Sequence, residues 1–365
     1  MTYQVLARKW RPRDFSELVG QEATVRTLNN ALEKGRFHHA YLFTGTRGVG
    51  KTTIARILAK AYNCEQGPTS HPCGTCKNCT AINEGHFIDL IEIDAASRTK
   101  VEDTRELLEN VQFLPSQGRF KIYLIDEVHM LSRHSFNALL KTLEEPPEHT
   151  KFFLATTDPQ KLPATILSRC LKFHLGKISV EKISAHLEHI LKQEKLPFQS
   201  PAITLIAQHA QGSLRDALSL LDQAIAFCQG ELSEHDIRNM LGISDHRALT
   251  DFLTHLATQQ TQACLELVKQ LDAQGIDFDS FLDEILSALH AMAVEQVIPG
   301  AGRHILPNAG ELAPQFSPED LQLFYQIGLK GKEDLLLAPS TRAGMEMIVL
   351  RMLMFVPHTV RHDSS

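Results

Sequence analysis

Long apolar runs are absent from this 365-residue sequence: no stretch of about 18 apolar residues appears, which argues against a membrane-spanning helix. The first ten residues include Arg8 and Lys9 but no apolar core, so no secretory signal is indicated. No internal repeat is visible at the periods of solenoid proteins. Positive charge is not in excess, because the formal net charge is -6. Binding to nucleic acid would therefore require a local basic patch.

The composition is that of an ordinary folded protein, with 43% hydrophobic and 22% charged residues. This length predicts two or three domains with a substantial core. Apolar runs that alternate with helical patterns favour a parallel sheet covered on both faces. The predicted strands are Ala40–Thr44, Ile88–Ile93, Lys121–Asp126, Lys151–Thr156 and Cys170–His174.

Strand patterns end near residue 176, and helical patterns follow. We predict an α/β domain over 1–176, a small helical domain over 177–242 and a second helical domain over 243–365. Capping patterns mark three helix starts, at Thr99 with Glu102, at Ser132, and at Ser213 with Asp216.

A glycine-rich turn follows the first predicted strand and matches G-x-x-x-x-G-K-[ST] in full. Its glycines let backbone N–H groups face phosphate oxygens, and the helix that it opens adds a positive N-terminus. Lys51 is predicted to reach the β- and γ-phosphates of ATP, and the Thr52 hydroxyl to bind Mg²⁺. The alternative is a chance glycine-rich turn. The candidate nucleotide-binding residues are Gly45, Thr46, Arg47, Gly48, Val49, Gly50, Lys51, Thr52 and Thr53.

Two carboxylates stand at the end of the third predicted strand, where open α/β sheets place their sites. Asp126 is predicted to hold Mg²⁺ through water, and Glu127 to orient or deprotonate the attacking water. One alternative is a solvated acidic pair at a strand end. Another is a helicase-type DExH box over Asp126–His129, which requires a second nucleotide-binding α/β domain, whereas the rest of this chain is predicted to be helical.

Four further residues are candidates for contacts with a γ-phosphate, of this chain or of a neighbour. Thr156 and Thr157 end the fourth predicted strand, where a hydroxyl could bond the phosphate or its water; they could also be ordinary strand residues. Arg169 could act on a neighbouring subunit or form a surface ion pair. Arg215 lies in the first turn of a helix capped by Ser213, where a cation opposes the helix dipole. Either a nucleotide phosphate or a carboxylate of the same helix would relieve that conflict.

Four of the seven cysteines lie within sixteen residues, between the phosphate-loop helix and the second predicted strand. Four thiolates at this spacing indicate a structural Zn²⁺ site in a reducing, cytoplasmic compartment rather than disulfides. An iron–sulfur cluster is the alternative. The predicted ligands are Cys64, Cys73, Cys76 and Cys79, whereas isolated buried thiols are expected at Cys170, Cys228 and Cys264.

Taken together, these motifs resemble the gamma/tau subunits of bacterial DNA polymerase III clamp loaders, which are AAA+ ATPases. The resemblance covers essentially the whole chain. It implies an AAA+ P-loop domain with a parallel five-stranded sheet and an inserted zinc module at about residues 64–79, then a helical lid and a helical collar. The segments that carry it are Leu6–Pro12, Phe15–Gln21, Glu144–Pro147, Ala155–Pro159, Ser168–Cys170, Gly212–Ala217 and the cysteine module.

The resemblance also implies roles for single residues. Thr157 would be sensor one, Arg215 sensor two, and Arg169 the arginine finger that acts on an adjacent subunit. ATP binding would open the ring-shaped sliding clamp and grip primed DNA, and hydrolysis would release the clamp closed around it. The residues around the adenine and ribose would be Arg8, Pro12, Val19 and Gly20.

The expected partners are the delta and delta-prime subunits, further gamma/tau copies in a pentamer joined by the collar, the sliding clamp and primer–template DNA. Candidate DNA contacts are Arg98, Lys100 and Arg105; the alternative is a basic patch balanced by nearby carboxylates. Two other functions stay open: another AAA+ DNA motor, such as a branch-migration helicase, or a non-catalytic loader scaffold. Tau subunits carry a long C-terminal extension that this sequence lacks, which predicts the short gamma form or a truncated chain.

Overall fold

The computed structural model describes residues 4–97, 110–228, 230–243 and 246–355. The chain divides into two compact units, Met1–Glu234 and His235–Ser365. Within the described residues the second unit contains helices but no strand. The finer division at residues 176 and 242 stays a prediction.

The first unit is built on a parallel five-stranded sheet with the order β2-β3-β4-β1-β5, which confirms the predicted fold class. This order puts β3 beside β4 and β4 beside β1. The carboxyl ends of these three strands therefore meet at one edge of the sheet. The strands are β1 (Ala40–Thr44), β2 (Leu90–Asp94), β3 (Lys121–Asp126), β4 (Thr150–Thr156) and β5 (Leu171–His174).

The second strand begins later than the sequence predicted. Ile88 is 63% exposed and lies in a turn before β2. The next residue, Asp89, is buried, and its carboxylate accepts hydrogen bonds from the backbone N–H groups of residues 116, 117 and 118 at 2.7, 2.7 and 2.6 Å. Because Asp89 binds the segment that leads into β3, the chain turns here and the strand starts at Leu90, two residues later than predicted.

The helices of the first unit begin near the predicted capping residues. The Ser132 hydroxyl accepts a hydrogen bond from Ser135 N, and the Ser213 hydroxyl accepts one from Asp216 N. The third predicted cap, at Thr99, lies outside the described residues. The helices are α1 (Leu6–Lys9), α2 (Glu22–Glu33), α3 (Lys51–Asn63), α4 (Lys77–Glu84), α5 (Arg133–Glu144), α6 (Ala164–Leu167), α7 (Val180–Glu194), α8 (Ser200–His209) and α9 (Leu214–Phe227). Short 3₁₀ turns occupy Phe15–Glu17, Asn110–Gln112, Val128–Met130 and Pro159–Lys161.

Both faces of the sheet are covered by apolar layers, as the unbroken apolar strands predicted. Along β1, Tyr41 and Phe43 join the layer that includes residues of α2 and α3. Ala40 and Leu42 join the opposite layer, with residues of α5. This alternation follows from the two-residue period of a strand. Packing on both faces holds the strand ends in place. The loops that follow these ends, which carry the polar residues, are positioned by them.

The second unit is a helical assembly around one long buried helix, α13. Its apolar side chains pack with those of its neighbours in a single core. Glu295, near the end of α13, is buried and accepts hydrogen bonds from Gly300 N and Gly302 N, both at 2.9 Å, so the loop that follows is held in place. The helices are α10 (Glu234–Leu241), α11 (His246–Ala257), α12 (Thr261–Ala273), α13 (Phe278–Val297), α14 (Ala309–Leu312), α15 (Pro318–Leu335) and α16 (Thr341–Met354), with 3₁₀ turns at Gly302–His304 and Ala313–Gln315. In the described part of the chain, no helix has the length and apolar character needed to cross a membrane.

Candidate nucleotide site and cysteine cluster

A cavity of about 710 Å³ opens in the first unit at the edge of the sheet where β1 and β3 end. Three parts of the unit form its walls: the N-terminal segment, the glycine-rich turn with the acidic end of β3, and the start of α9. The size suits a nucleotide. The lining residues are Val5, Ala7, Arg8, Trp10, Arg11, Pro12, Leu18, Val19, Arg47, Gly48, Val49, Gly50, Lys51, Thr52, Thr53, Asp94, Ala96, Asp126, Glu127, Ile178, Leu214, Arg215 and Leu218.

The glycine-rich turn joins β1 to the N-terminus of α3, as its motif predicted. Gly45, Gly48 and Gly50 all have positive φ, at 145°, 78° and 103°. A Cβ on Gly48 would lie 1.9 Å from Ser213 Oγ, and one on Gly45 would lie 2.4 Å from Leu175 O, so neither position has space for a side chain. The backbone therefore folds into a tight loop whose N–H groups and helix end suit an anion.

Lys51 lies inside this loop and is only 6% exposed. Its Nζ donates hydrogen bonds to Gly45 O at 2.9 Å and Thr46 O at 3.0 Å. Burial lowers the pKa of Lys51, whereas the charges of Glu127 and Asp126 act in the opposite direction. Charged phosphate oxygens accept stronger hydrogen bonds from an ammonium group than neutral carbonyls do. Phosphate oxygens in place of the two carbonyls would therefore stabilise the buried ammonium of Lys51.

Thr52 and Asp126 meet across the site. The Thr52 hydroxyl donates a 2.7 Å hydrogen bond to Asp126 Oδ2, and Asp126 Oδ1 accepts from Glu127 N at 3.0 Å. A hydroxyl and a carboxylate at this separation are hard oxygen ligands, which suit Mg²⁺ beside a phosphate. The two residues predicted to hold the metal are thus brought together.

Glu127 is held in an uncommon backbone conformation, with φ at 47°. Its Oε2 accepts hydrogen bonds from Thr157 Oγ1 at 2.8 Å and Thr157 N at 3.0 Å. His129 Nδ1 lies 3.4 Å from the same oxygen and 2.9 Å from Thr156 Oγ1. The carboxylate is therefore turned toward the end of β4. Sequence reasoning placed Thr157 at the phosphate, but the structure places its hydroxyl on Glu127.

Arg215 comes to the cavity through the packing of α9 on the glycine-rich turn. Its backbone N–H donates to Gly48 O at 3.4 Å, and its side chain lines the cavity. Further along α9, Asp222 accepts a 2.8 Å hydrogen bond from Leu6 N, which ties the N-terminal segment to the same helix. The N-terminal segment and the glycine-rich turn are thus both bonded to α9, and the three elements enclose the cavity.

The N-terminal segment places Arg8, Pro12 and Val19 in the lining of the cavity; the resemblance assigned these residues to the adenine and ribose. Gly20 is not among the lining residues; it turns with φ at 79°, and a Cβ there would meet Ile178 Cγ2 at 3.1 Å. Sequence reasoning missed Arg11, whose pKa is lowered by burial and by the nearby charge of Arg56. The proline that follows Arg11 was the available signal, because it marked the segment as a fixed turn.

Arg169 lies apart from the cavity lining. Its guanidinium donates to Glu144 Oε1 and to Thr165 O, each at 2.9 Å. The predicted DNA contacts at Arg98, Lys100 and Arg105 lie outside the described residues.

The four predicted cysteine ligands converge in one cluster, with their sulfur atoms within 4.8 Å of one another. Cys64 Sγ lies 3.6 Å from Cys73 Sγ, which lies 4.0 Å from Cys79 Sγ. Four sulfurs at about 2.3 Å from a tetrahedral Zn²⁺ would be about 3.8 Å apart, so the spacing fits. Backbone N–H groups of Thr75 and Cys76 lower the pKa of Cys73 to about 6. Of the other cysteines, Cys170 and Cys264 are buried as predicted; Cys228, at the end of α9, is only half-buried.

Three family models together match most of the chain. Residues 20–179 match the model described as DNA polymerase III, delta subunit, and residues 182–230 match the ATPase lid domain of DNA polymerase III clamp loader subunits. Residues 232–362 match domain III of DNA polymerase III subunits gamma and tau.

Curated relatives agree with these matches. The chain is 56% identical over 358 residues to DNA polymerase III subunit tau/gamma of Haemophilus influenzae, covering 98% of this chain and 52% of the relative. It is 56% identical over 361 residues to subunit tau of Escherichia coli, covering 98% and 56%. It is 46% identical over 362 residues to subunit gamma of Buchnera aphidicola subsp. Baizongia pistaciae, covering 96% and 97%. The chain thus spans about half the length of the first two relatives and nearly all of the third.

Among solved structures, the Thermotoga maritima RuvB Holliday junction branch migration motor aligns at 19% identity and a TM-score of 0.48, over 68% of this chain and 79% of that one. The sheet, the lid and the full-length match to a gamma subunit agree: the chain belongs to the gamma/tau family of DNA polymerase III clamp-loader subunits.

Proposed function

We propose that this chain is an ATP-hydrolysing motor subunit of a DNA polymerase III clamp loader, which uses ATP to load the sliding clamp onto primed DNA. The observation that carries the proposal is the cavity in which Lys51 and Thr52 face Asp126 and Glu127. Membership of the gamma/tau family supports the role in loading the sliding clamp. ATPase activity would thus serve a DNA-directed DNA polymerase holoenzyme in replication.

Different residues of the cavity would bind the phosphates, the metal ion, and the base and ribose. Backbone N–H groups of Gly48–Thr53 and the Lys51 ammonium would bind the phosphate oxygens, while Thr52 and Asp126 would hold Mg²⁺, which supplies charge neutralisation at the β- and γ-phosphates. Arg215 would contact the phosphates from the lid. Arg8, Pro12 and Val19 would enclose the base and ribose.

Glu127 would orient or deprotonate the attacking water. Its Oε2 accepts the two Thr157 hydrogen bonds, at 2.8 and 3.0 Å, which leaves Oε1 to accept from that water. The Thr157 hydroxyl would take the sensor-one role by exchanging its bond to Glu127 for one to the γ-phosphate. Binding and hydrolysis would thus depend on different contacts of the same site.

The cysteine cluster would hold a structural Zn²⁺. The donor set supports this assignment, because four thiolates close a tetrahedral site and leave no position for a substrate. The backbone N–H groups of Cys73, Cys76 and Cys79 approach cluster sulfurs at 3.5, 3.4 and 3.4 Å, and such contacts stabilise thiolates around a metal.

The purified chain should contain one zinc ion, and Cys79→Ser should lose it and lower Tm by about 5 °C or more, because metal binding orders the module. Elemental analysis and thermal unfolding measure both quantities. Cys228→Ser is the matched control, since that thiol lies outside the cluster. Iron with visible absorbance in the wild type would favour the iron–sulfur alternative, and equal zinc in both variants would remove the assignment.

The partners would be the delta and delta-prime subunits, other gamma/tau copies, the sliding clamp and primer–template DNA, in the cytoplasm. The helical region from about residue 243 would form the collar that joins the subunits, after a lid over 177–242. Arg98, Lys100 and Arg105 would contact DNA phosphates. A helicase of the DExH type is disfavoured, because in its described residues the second unit has no strand with which to form the second α/β domain.

The lone chain should bind ATP and hydrolyse it slowly, and the addition of delta, delta-prime, clamp and primed DNA should strongly increase its turnover. Lys51→Met should weaken ATP binding by about 10- to 100-fold, because it removes a buried charged donor. Titration calorimetry and phosphate release measure these effects, with Lys34→Met, at an exposed lysine, as the control. If the lone chain bound no ATP, the motor role would be excluded, and full turnover in the dilute lone chain would contradict a requirement for neighbours.

A further inference from the structure

A second buried lysine lies on α3, the helix that follows the phosphate loop. Lys60 is 2% exposed, although its side chain carries a charge and takes no part in the cavity lining. A buried ammonium group is costly unless polar partners surround it. The partners of Lys60 therefore indicate what this residue holds together.

The ammonium of Lys60 bridges two separate parts of the first unit. Its Nζ donates one hydrogen bond to Arg13 O, in the N-terminal segment. It donates another, at 3.0 Å, to Asn83 Oδ1 on α4. Helix α4 belongs to the cysteine module: Cys76 caps its N-terminus, and Cys79 lies in its first turn. One side chain thus links the module to the N-terminal segment.

The Arg13 end of this bridge is a compact turn. The Asp14 carboxylate accepts hydrogen bonds from Ser16 N at 2.8 Å and Glu17 N at 3.2 Å, while Glu17 Oε2 accepts one from Arg13 N at 2.6 Å. Asp14 and Glu17 are also acidic neighbours of the Lys60 ammonium. The turn is closed by its own side chains, and Lys60 attaches it to the rest of the unit.

This turn lies between the two stretches that form one side of the nucleotide cavity. Arg11 and Pro12 precede it, Leu18 and Val19 follow it, and all four line the cavity. We call these four residues the N-terminal wall. Because the turn connects both halves of the wall, displacement of Arg13 would move both halves.

The module is itself firmly joined to the body of the unit. Asn78 Nδ2 donates to Asn63 O at 2.8 Å, and Arg119 donates to Cys64 O at 2.7 Å. Asn63 in turn exchanges hydrogen bonds with the backbone of Phe120, at 2.9 and 3.0 Å. A module anchored at these points can act as a fixed support for Asn83.

We propose that Lys60 is a positioning residue through which the cysteine module holds the N-terminal wall of the nucleotide cavity. A metal bound by the four cysteines would fix the position of Asn83. The Lys60 ammonium, which donates a hydrogen bond to Asn83 Oδ1, would be fixed with it. The same ammonium then holds Arg13 O, so the wall is set before a nucleotide arrives. This inference rests on the proposed function, because it assigns the wall to ATP binding.

The test is a four-state comparison on the full chain: wild type and Lys60→Met, each with its zinc bound and after removal with a chelator, titrated with ATP and Mg²⁺. Methionine keeps the apolar stem and removes the ammonium. The wild type should lose about tenfold in ATP affinity when zinc is removed. Lys60→Met should be about tenfold weaker with zinc still bound, and zinc removal should change it little further, since the link is already broken.

Two more variants make the outcome specific. Lys77→Met removes an exposed positive charge from the same module and should bind ATP as the wild type does. Asn83→Ala cuts only the module side of the bridge; it should retain zinc and still weaken ATP binding. That variant decides the matter if the zinc-free chain or Lys60→Met does not stay folded by circular dichroism.

Wild-type ATP affinity in both zinc-bound Lys60→Met and Asn83→Ala would overturn the inference and leave the motor role standing. An equal response to zinc removal in wild type and Lys60→Met would also overturn it, because the coupling would then run elsewhere. If the wild type bound no ATP in any state, the proposed function would fail first and this inference with it.

Discussion

Replacing Glu127 with Gln should slow ATP hydrolysis by about 10²- to 10⁴-fold and leave ATP binding nearly unchanged. The amide keeps the size of the side chain but cannot accept the proton of the attacking water. It does not alter the Lys51, Thr52 or Asp126 contacts that would hold the phosphates and the metal. Single-turnover hydrolysis together with equilibrium titration would separate the two effects, because only the first depends on the carboxylate.

The matched control is Glu145→Gln, which makes the same chemical change at an exposed residue just after α5. It should hydrolyse ATP at the wild-type rate. A Glu127→Gln chain that hydrolysed ATP as fast as the wild type would remove Glu127 from the mechanism. A parallel loss of ATP affinity would show instead that the carboxylate contributes to binding.

Arg169→Ala should reduce the ATPase rate of the assembled loader by about 10³-fold and leave the slow rate of the lone chain unchanged. The reason is geometric: the guanidinium is bonded to Glu144 and Thr165, and Arg169 does not line the cavity of its own chain. If it acts on phosphate, it acts on that of a neighbour. Since the Glu144 ion pair is exposed, its loss should cost little stability.

Two controls separate this role from a general effect of charge. Glu144→Gln removes the partner but keeps the guanidinium, so it should retain stimulation by the assembly. Arg36→Ala removes an exposed arginine elsewhere in the unit and should behave as the wild type does. A drop in the rate of the lone Arg169→Ala chain, or full stimulation of that variant in the assembly, would contradict action on a neighbour.

The features that were predictable from the sequence are those whose residues lie close together along the chain. The phosphate loop needs eight consecutive positions, the cysteine cluster needs sixteen, and the strand that ends at Asp126 is one continuous apolar run. The predicted start of the second strand was wrong because a local pattern competed with a distant contact. Ile88 continues an apolar run, but Asp89 accepts hydrogen bonds from residues 116–118, so the strand begins only after Asp89.

The remaining parts of the site depend on contacts between distant residues. The Thr157 hydroxyl could be placed near the sheet edge, yet only the backbone of Glu127, with its positive φ, turns that carboxylate onto it. Lys60 gave no signal at all, because a lysine in the last turns of a helix is usually exposed. Its burial requires the N-terminal segment and the cysteine module to close over α3 from two directions.

The contact between Gly48 and the start of α9 has a mechanical consequence. Ser213 ends one turn of chain and begins the next helix, and it lies where a methyl group on Gly48 would have to be. The carbonyl of Gly48 is meanwhile bonded to Arg215 N. The loop and the start of α9 are therefore packed with no space between them, so we expect any change in the shape of the loop to displace the N-terminus of α9 as well.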